Sequence, residues 1–199
     1  MKKRIVIGVL AYQGDVQEHI EATKSAALRM RKDISVISVR EKPDIAGLSG
    51  LIIPGGESTT LYKLCQREGI FEEIKKIKNI FGTCAGAIML SKNAENRISG
   101  QKTLQLMDIE VSRNAYGRQN DSFEADIETA LGALHAVFIR APKITRVGKN
   151  VHTLAEYNGE VIACEEKTKR GYYLALCFHP ELTTTLFHEH FLKMVFANK

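Results

Sequence analysis

The stretch Phe81-Gly82-Thr83-Cys84-Ala85-Gly86-Ala87 leaves this chain few options. An apolar run precedes it and a helix-forming run follows it. One glycine stands two residues before the cysteine and another two residues after. This G-x-C-x-G spacing is that of a strand–turn–helix elbow with a nucleophile at its bend. A bulky side chain at either glycine would collide with the neighbouring strand or helix. The bend lifts the sulfur out of a sheet and sets it at a helix N-terminus. There the dipole and free N–H groups favour thiolate over thiol. The Ala85 N–H then forms half of an oxyanion hole. The same letters also describe a small buried cysteine in a glycine-rich turn, so nucleophile and core residue both stay open.

The surroundings predict an α/β fold. Strands are expected at 4–11, 34–39, 50–53 and 80–82. Helices are expected at 16–30, with Asp15 as N-cap, and at 59–67, 70–77 and 85–92. Such alternation implies a parallel sheet covered on both faces. In the second half the strand-like runs are 104–112, 122–127, 136–139, 151–157, 160–164 and 172–178, with few helices between them. Antiparallel additions would make the sheet mixed, though mostly parallel, in a three-layer sandwich. A helix at 183–196 closes the chain, its stripe of Leu186, Phe187, Phe191, Met194 and Val195 facing the core. At 199 residues, without linker, repeat or low-complexity segment, residues 1–199 read as one domain.

Charge and cysteine usage exclude several classes. The net charge is +5, but the basic groups at 2–4, 29–32 and 75–78 are scattered and carry no interleaved aromatics. They read as solvated surface, and no nucleic-acid partner is expected. No apolar run approaches the roughly 20 residues that span a bilayer, so no membrane partner is expected. The basic start is not followed by a small-residue cleavage site, so no signal peptide is expected. Cys65, Cys84, Cys164 and Cys177 include no C-x-x-C pair, which leaves zinc and a redox dithiol unsupported. Cys65, Cys164 and Cys177 sit in apolar contexts and read as core. His188 and His190, two apart in a helix, point to different faces and do not pair on a metal. A cytoplasmic chain with no metal and no cofactor is the expectation.

A cysteine nucleophile needs a base, and the base needs an orienter. The run Cys177-Phe178-His179-Pro180-Glu181-Leu182 offers both at the end of an apolar strand. Pro180 stops the ladder. In extended geometry His179 and Glu181 share a side, so one reaches the sulfur and the other the far ring nitrogen. An exposed His and Glu at a strand end is the plainer alternative. Pro54-Gly55-Gly56-Glu57-Ser58 also follows a strand. Its glycines permit close backbone approach, and the Gly56 N–H is placed to complete the oxyanion hole. A plain turn or an anion-cradling loop fits the same letters, although no G-K-[ST] follows. Both the elbow and the His-Pro-Glu run lie at carboxyl ends of strands, where open parallel sheets gather their sites.

Taken together, these motifs resemble the class I, or triad, glutamine amidotransferases, a flavodoxin-like fold. The match extends through Gly8-Val9-Leu10-Ala11-Tyr12-Gln13-Gly14, Thr59-Thr60, Arg113-Asn114-Ala115-Tyr116-Gly117-Arg118-Gln119, Asp121-Ser122-Phe123-Glu124-Ala125 and Phe138-Ile139-Arg140-Ala141-Pro142. These later segments are similar to those of the glutaminase subunits of pyridoxal 5′-phosphate synthase, over nearly the whole chain. One departure is Ala115-Tyr116, where Ser-Phe is common.

The resemblance implies that Cys84 attacks the side-chain amide of L-glutamine, that His179 moves the proton and that Glu181 orients His179. It implies an oxyanion hole from Gly56 and Ala85, and glutamine held at Gly56, Glu57, Ser58, Arg113, Ile139 and Arg140. Either Arg113 or Arg140 could pair the α-carboxylate. It also implies that ammonia passes to a synthase subunit of (β/α)₈ barrel fold. That subunit makes pyridoxal 5′-phosphate from ribose 5-phosphate and glyceraldehyde 3-phosphate, in an assembly of twelve copies of each subunit. Gln13 matches a position tied to activation and the interface. A glutaminase serving another synthase, such as that for imidazole glycerol phosphate, would share the triad but leave the later segments unexplained. A non-catalytic scaffold would have no need of Cys84, His179 and Glu181 together. A cysteine peptidase would need an extended cleft.

Overall fold

The computed structural model describes residues 4–113 and 122–198. Segment 114–121, which carries most of the Arg113–Gln119 motif and Asp121, lies outside the described residues. Elements follow in the order β1 (Ile5–Leu10), α1 (Val16–Arg29), β2 (Ile34–Val39), α2 (Lys42–Ile45), β3 (Gly50–Ile53), α3 (Ser58–Arg67), α4 (Phe71–Ile74), β4 (Asn79–Thr83) and α5 (Ala85–Leu90). The second half holds β5 (Ser91–Glu95), β6 (Met107–Ser112), β7 (Phe123–Ile127), β8 (Leu134–Phe138), β9 (Lys143–Val147), β10 (Val151–Tyr157), β11 (Glu160–Lys167), β12 (Tyr172–Leu176) and α6 (Leu186–Ala197). A 3-10 turn at Pro180–Leu182 separates β12 from α6.

A ten-stranded sheet runs in the order β2-β1-β3-β4-β12-β11-β9-β6-β5, with β10 also paired to β11. The first five strands are parallel. Strand β11 then runs antiparallel to β12, β10 and β9, and β9 antiparallel to β6. The architecture is therefore the expected α/β one, with a mixed sheet built on a parallel core. Strands β7 and β8 depart from the expectation: they form their own two-stranded antiparallel sheet.

Successive residues of β4 point to opposite faces. Phe81 packs on His19 of α1 and on His188 and Phe191 of α6. A Cβ built on the next residue, Gly82, would strike the backbone of Gly86 in α5. Helices α1 and α6 thus cover one face and α5 the other. Strands β3, β4 and β12 are buried at nearly every position, as expected of a sheet covered on both sides.

Several boundaries shift for local reasons. The expected helix 70–77 shrinks to α4, and the elbow helix ends at Leu90. Ser91 there accepts no further helical turn: its Oγ donates to the Ile88 carbonyl, and the chain continues as β5 against β6. Strand β9 and the single turn α2 carry polar letters and were not legible as elements. Among the described residues no helix is long and apolar enough to cross a membrane.

Candidate active site

Parallel pairing places the two key motifs side by side. Thr83 of β4 is in register with Leu176 of β12, and the Cys84 N–H donates to the Leu176 carbonyl at 2.8 Å. Both strands therefore discharge their next residues at the same edge. Cys84 sits there with φ 49° and ψ −106°, a left-handed setting that a non-glycine residue holds only when its surroundings enforce it. The turn that follows packs closely on the sheet: a Cβ on Gly86 would collide with the Ile53 carbonyl oxygen of β3. Ala85 opens α5, in the turn where N–H groups lack intrahelical acceptors.

His179 is buried, as is Glu181. The Glu181 Oε1 lies 2.8 Å from His179 Nδ1, and His179 lines the same pocket as Cys84, within electrostatic reach of its sulfur. The geometry differs from the extended one expected, because Pro180 and Glu181 wind into a 3-10 turn. The winding brings the carboxylate back over the ring. Burial opposes the imidazolium, but the bonds and charges of Cys84 and Glu181 outweigh it and hold His179 up at about 10. Burial also opposes the Glu181 carboxylate, yet hydrogen bonds from His179 and His19 hold it well below the usual range. The three other cysteines lie in the core. Burial pushes Cys65 and Cys164 up to about 12 and raises Cys177 as well, which keeps them as inert thiols.

The β7–β8 sheet contributes a wall. The His179 N–H donates to the Val137 carbonyl of β8 at 2.9 Å. Just past β8, the Ile139 carbonyl faces the Cys84 sulfur at 3.8 Å. Arg140 follows, exposed and with φ 45°. The resulting pocket, about 240 Å³, is lined by Gly56, Glu57, Ser58, Arg113, Ile139 and Arg140 together with Cys84 and His179. Every expected substrate-binding residue is thus at one pocket.

Two side chains are already engaged within it. Glu57 caps α3 by accepting from the Thr59 and Thr60 N–H groups. Burial would raise its carboxyl, but these bonds and the hydroxyls of both threonines hold it low. Arg113 pairs with Glu57 at 2.8 Å and also donates to Gln101 and Thr59. Gln13 lies against Gly56, whose φ is +124°, and its Nε2 donates to the Glu57 carbonyl at 2.7 Å.

The structure adds to the site residues that the sequence did not assign to it. Asp15 occupies the N-cap position of α1 but makes no capping bond. Its Oδ2 lies 3.1 Å from His179 Nδ1 instead. Asp15, His179 and Glu181 bring three potential ligand atoms within 4.8 Å of one another. A protonated His179 already supplies the cation between those two carboxylates. Buried Gln101 ties Ser58, Thr59 and Arg113 together. Nothing in the spacing of Asp15 or Gln101 announced these contacts, which arise from loops far apart in the chain.

Comparisons with known proteins agree with this geometry. The model of the SNO glutamine amidotransferase family matches residues 9–197. A protein of Oenococcus oeni named pyridoxal 5′-phosphate synthase subunit PdxT is 45% identical over 201 residues, covering 98% of this chain and 99% of its own. One of the same name from Pyrococcus furiosus is 45% identical over 199 residues, covering 96% and 99%. A solved structure described as a glutamine amidotransferase superimposes with a TM-score of 0.81 at 41% identity, covering 95% of this chain and 98% of that one. With a family model spanning nearly its whole length and relatives this close, the chain belongs to the SNO glutamine amidotransferase family.

Proposed function

We propose that this chain is the glutaminase subunit of a pyridoxal 5′-phosphate synthase, acting as a single domain over 1–199. The observation that carries the reading is one array at one pocket: Cys84 at a strained elbow, His179 beside it within electrostatic reach, and Glu181 2.8 Å behind the ring. In this reading the thiol proton already rests on His179, held there as a cation by Glu181 and Asp15, and the Cys84 thiolate attacks the amide carbon of L-glutamine. The oxyanion forms against the Gly56 and Ala85 N–H groups. His179 then protonates the leaving nitrogen, ammonia departs and a glutamyl thioester remains. Water, deprotonated by His179, attacks the thioester and releases L-glutamate and the free thiol.

A pocket of about 240 Å³ suits one amino acid better than an extended peptide. Arg140, exposed at its edge, is the better placed arginine for the α-carboxylate, since Glu57 already holds Arg113. The names borne by the relatives support a synthase subunit as partner. The family resemblance makes it a (β/α)₈ barrel that takes the ammonia, in an assembly of twelve copies of each. Gln13, seated on Gly56, is where docking of that subunit would act on the oxyanion loop. Four free cysteines fit a reducing, cytoplasmic setting.

Glutamate release, measured with and without the synthase subunit, tests the reading. Cys84→Ala should abolish partner-stimulated release, a loss of at least about 10³-fold. Retained activity in that variant would overturn the mechanism.

A further inference from the structure

Behind the candidate triad, on the α1/α6 face of the sheet, lies a second layer that the reaction above does not use. His19 of α1 and His188 of α6 are both fully buried. The His19 Nε2 lies 3.3 Å from Glu181 Oε1 and 3.1 Å from Thr83 Oγ1. The His19 Nδ1 lies 3.0 Å from His188 Nε2. The histidines also pack edge-on against Phe81, which seals the group from solvent.

We propose that His19 is a positioning residue for this reaction: its Nε2–H holds the Glu181 carboxylate against His179, and His188 fixes the ring tautomer that makes this possible.

The proton assignment follows from charge. A bare Nε2 would set a lone pair against the Glu181 carboxylate at 3.3 Å in a dry site, which is repulsive. With the proton on Nε2, His19 shares it between Thr83 Oγ1 at 3.1 Å and the carboxylate at 3.3 Å, and its Nδ1 is free to accept from His188 Nε2–H. Burial, seconded by His19, holds His188 low at about 3, so it stays a neutral ring with one N–H to give. Its Nδ1 has no partner among the described residues. As a bare acceptor it is less costly there than an orphaned N–H would be. The result is a chain of hydrogen bonds, His188 to His19 to Glu181, with His179 and Cys84 at its other end.

The arrangement answers a need created by the site. Glu181 Oε2 is buried and has no partner among the described residues, so Oε1 carries the bonds of the carboxylate. Without His19 the buried charge would lean on His179 alone. Asp15 Oδ2 also stands 3.1 Å from His179 Nδ1. A loosened Glu181 would leave the ring to this second, more exposed carboxylate, which holds it less firmly.

The proposal rests on the glutaminase reading above, and the test separates the two. His19→Gln places an amide nitrogen near the position of Nε2, within reach of Glu181. His19→Asn brings the same polarity but stops at the level of Nδ1. Both are assayed for partner-stimulated glutamate release beside the unaltered chain, with thermal unfolding of each. The expected result is that the Asn variant loses kcat on the order of 10-fold with KM within about twofold, while the Gln variant recovers most of that loss. Equal kcat in the two variants, or a change confined to KM, overturns the positioning role. An unaltered chain that releases no glutamate with its synthase subunit overturns the glutaminase reading instead.

Discussion

At Cys84 the chain accepts a backbone setting that costs an L residue on the order of 1–3 kcal/mol, and the whole arrangement depends on its being held there. The neighbouring residues divide their tasks unequally. In the proposed reaction His179 exchanges the proton with the sulfur, whereas Glu181, 2.8 Å from the ring, acts through His179. Asp15, 3.1 Å from the same ring nitrogen, offers a second acceptor if Glu181 loses its charge. Glu181→Gln should therefore lower kcat roughly 10- to 100-fold, and His179→Asn roughly 10²- to 10⁴-fold. Steady-state glutamate release on both variants decides the order, and the reverse ranking would sink the assignment of base and orienter. At this scale the sequence was informative: Cys84, His179 and Glu181 announce themselves by the glycines and proline beside them. Asp15 and Gln101 do not, because an N-cap aspartate and a loop glutamine look alike whether or not they face a site.

Elements were legible where one periodicity dominates. Strands β2, β3 and β10 have the bounds that their apolar letters predict. Strand β9 does not read as a strand, since Lys143, Thr145 and Arg146 are polar. It exists because Ile144 pairs with both Val111 and Val161, two contacts supplied by strands far along the chain. The elbow is the element where local letters and packing agree most closely. Gly86 lets α5 touch β3, and the Cβ of an alanine there would meet the Ile53 carbonyl oxygen. Gly86→Ala should cost about 1–3 kcal/mol of stability, read by urea unfolding, and should lower kcat more than it raises KM. An alanine variant of unchanged stability would mean that the helix can slide on β3 without strain.

Over the whole molecule, α6 joins the ends of the chain to its centre. Phe191 is fully buried, packed on Phe81 of β4 and Tyr172 of β12, beneath the two strands that carry Cys84 and His179. Phe191→Ala should cost roughly 3–5 kcal/mol, and it should lower glutaminase activity through a misplaced β4–β12 pair. Calorimetry with parallel assays checks both, and full activity in a strongly destabilised variant would show that the strand ends hold without α6. The letters alone determined the fold class, the elbow and the three groups of the proposed chemistry, because each rests on spacing within a few residues. Tertiary structure alone decided that β7 and β8 leave the main sheet, that Arg113 is held by Glu57, and that His19 meets His188 across 169 residues of chain. Such contacts are written in no local period. They follow from the parallel register of β4 and β12 and from two helices sharing one face of the sheet.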